Sequence, residues 1–317
     1  MKTAKLSKGG AAHRRLRILH NTNHLQLYLM CVIPLGLFFV FSYLPMFGIV
    51  IAFKDYRFDK GIFGSEWVGF KNFEFFIKSN DFLRLVRNTL GMNSIFIVTG
   101  LIASITVALL LNEVRKRVFV KVYQTVLIVP YFLSWVVVGY MVYAFLNPEY
   151  GFINSVLRRM GGEAVSWYTE ARYWPFILTL ASVWKRVGMD SVIYFAALTA
   201  IDQTYYEAAR IDGANKWQCM WHITLPGIRP VAITLTILAI GNIFRADFGL
   251  FYQVTRDVGS LYSTTDVMDT YVYRVMRSLG DMSLSSAAGL LQSMVGLVMV
   301  LLTNLAVRKI EPDSAIF

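Results

Sequence analysis

The chain is short of nearly everything a soluble enzyme or a secreted module needs. Charged residues make up 16% of its 317 residues, too few to clothe a water-exposed surface of that size. Cysteine occurs twice, as Cys31 inside an apolar run and Cys219 in a polar connection, so no disulfide framework is implied. The four histidines are His13, His20, His24 and His222. Three fall in one basic stretch and no ligand cluster forms, so no metal site is expected. There is no Gly-x4-Gly-Lys-Ser/Thr phosphate loop. The nearest approximation, Gly64-Ser-Glu-Trp-Val-Gly69-Phe-Lys71, has Phe where the lysine is needed, and ATP hydrolysis is not expected of this chain. His-Glu-x-x-His and Gly-x-Ser-x-Gly are also missing, which removes the usual markers of hydrolase chemistry.

What is abundant is apolar surface: 56% of residues are hydrophobic and the mean hydropathy is +0.50. A bilayer is the solvent that suits such a chain, and a spanning helix needs about 20 apolar residues. Four stretches exceed that length without Asp, Glu, Lys or Arg: Leu25–Phe53, Asn88–Asn112, Val122–Pro148 and Met282–Val307. Two more are apolar but interrupted. Tyr173–Ile201 carries Lys185, Arg186 and Asp190, and Val231–Tyr252 carries Arg245 and Asp247. The fold class expected is therefore all-α, a polytopic membrane protein with six transmembrane helices in one domain over 25–307, a basic arm at 1–24 and a tail at 308–317.

Charge gives an orientation. With the N-terminus in the cytoplasm, the inner segments 1–24, 113–121, 202–230 and 308–317 hold 15 Lys/Arg against 6 acidic residues. The outer segments 54–87, 149–172 and 253–281 hold 13 against 12. The net charge of +11 thus reads as membrane topology and not as a nucleic-acid surface. Glu113-Val-Arg-Lys-Arg-Val-Phe-Val-Lys121 is the clearest cytoplasmic marker. The competing reading of the N-terminus is a cleaved signal peptide. The first apolar run is too long for a signal core and no small-residue cleavage site follows it, so an uncleaved span is expected, with the arm lying near anionic headgroups.

Between spans four and five, residues 202–226 read as helix, turn, helix. Asp202 is a good N-cap. Gly213 can take the left-handed conformation that closes a helix. Asn215 caps a second helix with Gln218 at the reciprocal position, and Pro226 and Pro230 are expected to end it before span five. Local physics alone leaves two readings open: a loop helix lying on the membrane, or a slim surface at Ala208 and Ala209, with Glu207 as anionic anchor, on which another protein docks.

The pattern Glu207-Ala208-Ala209, then Gly213, then Ile223-Thr-Leu225-Pro226 resembles the signature of binding-protein-dependent ABC importer permeases in residues, spacing and position between spans four and five. The likeness extends along most of the chain, through Tyr43–Asp55, Trp67–Phe73, Leu109–Val114 and Asp266–Tyr273, and points to the carbohydrate branch, similar to maltose-type and polysaccharide-type permeases. The resemblance implies that the hairpin is a coupling helix docked on an ATPase, and that Glu207, Ala208, Ala209, Gly213, Ile223, Leu225 and Pro226 form the coupling element. It further implies a second permease, two ATPase subunits that bind ATP and magnesium, an extracytoplasmic sugar-binding protein and an oligosaccharide substrate. No cofactor is expected in this chain, and its place is a bacterial inner membrane with both termini cytoplasmic.

Ionisable residues inside a bilayer suggest function. Arg186 and Asp190 are four apart and can pair. Counted as a continuous helix, span five puts Arg245 about 20 Å in. Lys185, Arg186, Asp190, Asn242, Arg245, Asp247 and Asn93 are the candidates for a substrate path, with Gln292 a weaker one. The other reading of the charges is an ion-pair network joining spans four and five. Many relatives carry a Lys-Glu pair where this chain has Lys185-Arg186, which suggests a substrate bearing uronic acids. An ion-coupled secondary transporter is the alternative function. It is disfavoured by the absence of an internal repeat and would leave the cytoplasmic signature unexplained. Trp135 could face lipid, a partner helix or the cavity, and Pro130 is expected to kink span three.

Overall fold

The computed structural model describes residues 22–114 and 116–310; most of the basic arm, Arg115 and residues 311–317 of the tail lie outside the described residues. The described chain is helical apart from connecting loops and one two-residue antiparallel ladder, β1 (Lys54–Asp55) with β2 (Glu66–Trp67).

Span one begins as α1 (Thr22–Phe38) and runs on through a π turn at Phe39–Tyr43 and a 3-10 stretch at Leu44–Phe53. Its apolar side chains point outward along most of its length, as lipid-facing residues do. A short amphipathic helix, α2 (Lys71–Lys78), precedes span two, α3 (Asn80–Asn112). Span three is broken: α4 (Arg117–Phe132) and α5 (Trp135–Leu146) meet at 95°. Pro130 sits just before the break, as expected of a residue that cannot donate to the helix ladder, and Ser134 Oγ caps α5 by accepting the N–H of Val137 at 3.3 Å. Span four is α6 (Trp174–Thr199). It is long enough to cross a bilayer but carries the charged residues Lys185, Arg186 and Asp190. The hairpin helices α7 (Gln203–Ile211) and α8 (Lys216–Cys219) follow, then span five, α9 (Leu225–Gly241), a short connecting helix α10 (Met268–Arg274) and span six, α11 (Met282–Ile310).

Two expectations are corrected. Pro226 and Pro230 do not end the hairpin helix, because α8 continues into α9 as one helix, Lys216–Gly241. A π turn at Met220–Thr224 widens the helix just ahead of Pro226, where the ring would otherwise meet the preceding carbonyl. Thr234 Oγ1 donates to Pro230 O at 2.9 Å. Span five in turn stops at Gly241 and not at Tyr252. Helical structure resumes only near Phe248, so a depth for Arg245 counted along a continuous helix does not hold.

The side of each loop follows from contacts. Lys216 Nζ on the hairpin pairs with Glu113 Oε2 after span two at 2.5 Å, placing the 113–116 connection beside the hairpin. The other three connections meet at the opposite end. Arg84 and Arg274 both pair at 2.8 Å with Asp266, whose side chain is fully buried. Tyr168 Oη donates to Val254 O, and Ser260 Oγ to Tyr168 O. A carboxylate this enclosed needs such partners.

Packing follows the same division. At the end away from the hairpin Trp174, Leu178, Phe251 and Leu261 form one core, and Phe76, Leu85, Met268 and Tyr271 a second. Ala108, Tyr194, Leu198 and Ile228 form a third near the hairpin. Spans three and four touch backbone to backbone at Gly188, where a Cβ would lie 1.9 Å from Leu127 O. Gly188→Val is therefore expected to separate α6 from α4 and to destabilise the fold by at least about 1–3 kcal/mol, the usual cost of overpacking, read as a lowered midpoint in detergent thermal unfolding with little folded protein recovered.

Candidate functional site

The hairpin is built residue by residue from local rules. Asp202 Oδ1 accepts the Thr204 N–H at 2.9 Å, and this bond holds the Asp202 carboxyl below the usual carboxylate range. At the other end of α7, Gly213 has φ +81°. The N–H of Gly213 reaches Arg210 O and that of Ala214 reaches Ala209 O, the paired closure that a left-handed residue permits. Asn215 Oδ1 accepts from Gln218 N at 2.9 Å while Gln218 Oε1 accepts from Asn215 N at 2.7 Å, so the reciprocal cap is complete. Tyr206 Oη lies 3.0 Å from Thr224 Oγ1 and ties the two arms together. Glu207 and Ala208 are exposed, and Ala209, Ile223 and Leu225 half-buried. Ile211 is 87% exposed, and Tyr205, Trp217 and Trp221 also stand clear of the chain. This is a protruding element with an apolar rim.

Within the membrane, six of the seven candidate path residues, Asn93, Arg186, Asp190, Asn242, Arg245 and Asp247, line one cavity of about 480 Å³ between spans two, four and five. Ser104 lines it too, with a buried hydroxyl that makes no hydrogen bond. The seventh candidate, Lys185, is corrected. It is 9% exposed and turned away from the cavity. Its ammonium donates to the carbonyls of Tyr131 at 2.8 Å, of Leu133 and, at 3.5 Å, of Pro130. These are end carbonyls of α4, which a helix leaves short of partners and which cannot be left bare in hydrocarbon; Pro130 O also accepts the Leu133 N–H at 3.2 Å.

The break in span five is held the same way. Asn93 Nδ2 donates to Ile243 O at 2.7 Å and Arg245 O at 3.2 Å. Gln292 Nε2 donates to Phe244 O at 2.7 Å and to Asp269 Oδ2 at 3.0 Å, and Asp269 Oδ2 accepts the Ala246 N–H at 2.8 Å. Asn93 thus faces the cavity but spends its amide nitrogen on backbone, and Asn242 donates to Leu238 O within its own helix. Trp135 faces neither lipid alone nor the cavity: its Nε1 donates to Asp247 Oδ2 at 2.9 Å. Asp269 and the full part played by Gln292 were not read from the sequence. The signal available was a carboxylate and an amide in otherwise apolar surroundings, but nothing indicated that both served a broken helix.

The charges sort accordingly. Arg186 Nε is 3.7 Å from Asp190 Oδ2, the i,i+4 pair expected. Asp247 is bonded by Trp135. Among the described residues Arg245 has no carboxylate within 4 Å, and the acid behind it, Asp269, is committed to Ala246 and Gln292. Among the described residues, the cavity wall therefore presents a cation, Arg245, with no carboxylate within 4 Å, and a hydroxyl, that of Ser104, with no hydrogen-bond partner.

Comparison with known proteins gives a consistent picture. Residues 97–313 match the family model described as the binding-protein-dependent transport system inner membrane component. The chain is 40% identical to Protein LplB of Bacillus subtilis (strain 168) over 91% of its length and 90% of that protein's. It is 38% identical to the polygalacturonan/rhamnogalacturonan transport system permease protein YteP of the same organism, over 91% and 89%. A chain of the crystal structure of a bacterial ABC transporter involved in the import of the acidic polysaccharide alginate superposes with a TM-score of 0.83 at 32% identity, covering 91% of this chain and 97% of that one.

Because the breaks rest on single side chains, Asn93→Leu and Gln292→Leu each leave backbone carbonyls of 243–245 without a partner. Each is expected to cost about 1–3 kcal/mol, measured as a lowered unfolding midpoint of the purified protein in detergent, with Asn93→Gln recovering part of the loss.

Proposed function

Since the chain belongs to the binding-protein-dependent transport system inner membrane components, we propose that it is the permease subunit through which an acidic, uronate-bearing oligosaccharide enters the cell. The observation that carries the substrate class is the cavity of spans two, four and five, whose wall holds Arg245 with no carboxylate within 4 Å among the described residues. A guanidinium binds a carboxylate with charge-assisted, bidentate geometry. Ser104, Asn242 and the Arg186–Asp190 pair offer hydroxyl-binding groups beside it. The printed substrates of two similar proteins, polygalacturonan/rhamnogalacturonan and alginate, support an acidic glycan.

The working unit is this chain with a second permease, two ATPase subunits that bind ATP and magnesium, and an extracytoplasmic sugar-binding protein. A structure of the alginate transporter in complex with alginate pentasaccharide-bound periplasmic protein, to which the chain is similar at a TM-score of 0.81 and 33% identity, supports that composition. The hairpin and both termini face the cytoplasm, and the surface around 54–87, 149–172 and 253–281 faces the binding protein. Glu207, Ala208, Ala209 and Gly213 dock on an ATPase. When the ATPases close, the push enters Lys216–Gly241, one helix about 39 Å long at 1.5 Å per residue, whose far end abuts the cavity-lining break. Moving that end exchanges an outward-open cavity for an inward-open one.

Two measurements on the reconstituted complex test this. A galacturonate trisaccharide delivered by the binding protein should stimulate ATPase activity and uptake where the neutral galactose trisaccharide does not. Arg245→Gln should weaken the response to the acid about tenfold or more, the worth of a hydrogen bond to a charged group. Equal handling of both sugars refutes the substrate class. For coupling, Glu207→Lys and Gly213→Asp should lower uptake while the protein still reaches the membrane, the second because a left-handed conformation costs an L-residue roughly 1 kcal/mol or more. Normal ATP-coupled uptake by both variants excludes the docking role.

A further inference from the structure

Spans three and five are both interrupted, and the two interruptions touch. Lys185 holds the last carbonyls of α4, and its Nζ stands 5.2 Å from the centre of the Trp135 ring and 5.7 Å from that of Tyr131, within range of a cation–π attraction. Trp135 is the first residue of α5, directly after the bend. Its indole N–H reaches Asp247 Oδ2 at 2.9 Å, while Asp247 Oδ1 accepts the Leu250 N–H at 3.3 Å and starts the helical segment after the second break. The ring also lies against Gly249, where a Cβ would come within 2.2 Å of the indole. An ammonium and a carboxylate thus sit on either side of one indole, each fixed to the backbone of a different broken span.

We propose that Lys185, Trp135 and Asp247 act as a latch that joins the bend of span three to the break of span five and thereby positions Arg245 for the substrate carboxylate. Trp135 and Asp247 are positioning residues for specificity; neither is a substrate ligand. Asp247 is two residues from Arg245 in a non-helical segment, so the point at which the indole holds Asp247 sets where the guanidinium chain leaves the backbone. The same indole occupies the space that any side chain at Gly249 would need. The bend of span three therefore cannot change without displacing the cavity wall. Hydrogen bonds to charged groups are worth more than neutral ones, which suits a contact that must hold a wall in place and still release during a transport cycle.

The inference rests on Arg245 taking a uronate, and the test separates the two claims. Trp135→Phe keeps the ring and removes the N–H. In the reconstituted complex it should raise the half-saturating concentration of galacturonate trisaccharide-loaded binding protein about tenfold, and Asp247→Asn should raise it less. Acting through Arg245, Trp135→Phe should add little to Arg245→Gln, whereas independent effects would multiply. Hydrogen exchange of the same complexes should quicken across 244–251 in Trp135→Phe but not across 203–219. Unchanged exchange across 244–251, or a Trp135→Phe effect that multiplies with that of Arg245→Gln, overturns the latch. Normal acid uptake by Arg245→Gln instead overturns the carboxylate reading and Arg245's part in the latch, while the exchange data still decide whether the two breaks are joined.

Discussion

A peptide group in hydrocarbon has no water to turn to, and a continuous helix is the simplest way to keep all of its hydrogen bonds. This chain departs from that solution twice. It does so in neighbouring spans and near the same cavity. Each departure exposes carbonyls or amides that other spans then satisfy with long polar side chains: Lys185 from span four for the bend of span three, and Asn93, Gln292 and Asp269 for the break of span five. The polar residues within the apolar spans are for the most part the price of those two interruptions. That demand explains why so many face backbone and so few face open space.

The same demand sets the electrostatics of the cavity. Lys185 holds carbonyls of α4, Asp247 accepts from Trp135, and Asp269 accepts from Ala246 and Gln292. Two cations, Arg186 and Arg245, and two carboxylates, Asp190 and Asp247, line the cavity. Arg186 and Asp190 pair with each other, while the Asp247 carboxylate is turned onto the Trp135 indole and, among the described residues, Arg245 has no carboxylate within 4 Å. A neutral sugar offers hydroxyls to the same surface, whereas a carboxylate on the sugar can in addition meet the exposed Arg245 guanidinium with charge-assisted hydrogen bonds. The proposed preference for an acidic glycan rests on how these charges are partnered, which counting charges per span does not reveal.

How far the sequence carried differs by element, for physical reasons. The hairpin was legible almost to the atom, because caps and left-handed closures are decided within a few residues: Asp202, Gly213 and the Asn215–Gln218 exchange all stand where local rules put them. The apolar runs located the spans for an equally simple reason, the thickness of the bilayer. Direction was not legible. Lys185 and Arg186 are adjacent in sequence, and successive positions on a helix point about 100° apart. One therefore enters the cavity and the other reaches α4, and only the close crossing at Gly188 decides which. The prolines misled because their usual effect presumes a regular helix, whereas the π turn at Met220–Thr224 supplies room at Pro226. Asp269 lies in a segment that reads as an outer loop, and its role depends on a break some twenty residues earlier.

The two ends of the mechanism meet through that accommodation. Had Pro226 ended the hairpin helix, a flexible joint would separate the hairpin from span five, and a push on the hairpin would be absorbed there. Because Lys216–Gly241 is one helix, displacement at the hairpin is carried to Asn242, where the helix gives way to a segment held by side chains from spans two, three and six. Side-chain hydrogen bonds can exchange partners without the unwinding that a helical ladder requires. In the proposed mechanism the stiff element thus lies between the hairpin and the cavity, and the compliant element lies in the cavity wall, an arrangement that lets a small movement of the hairpin rearrange the binding surface while the bundle around it stays folded.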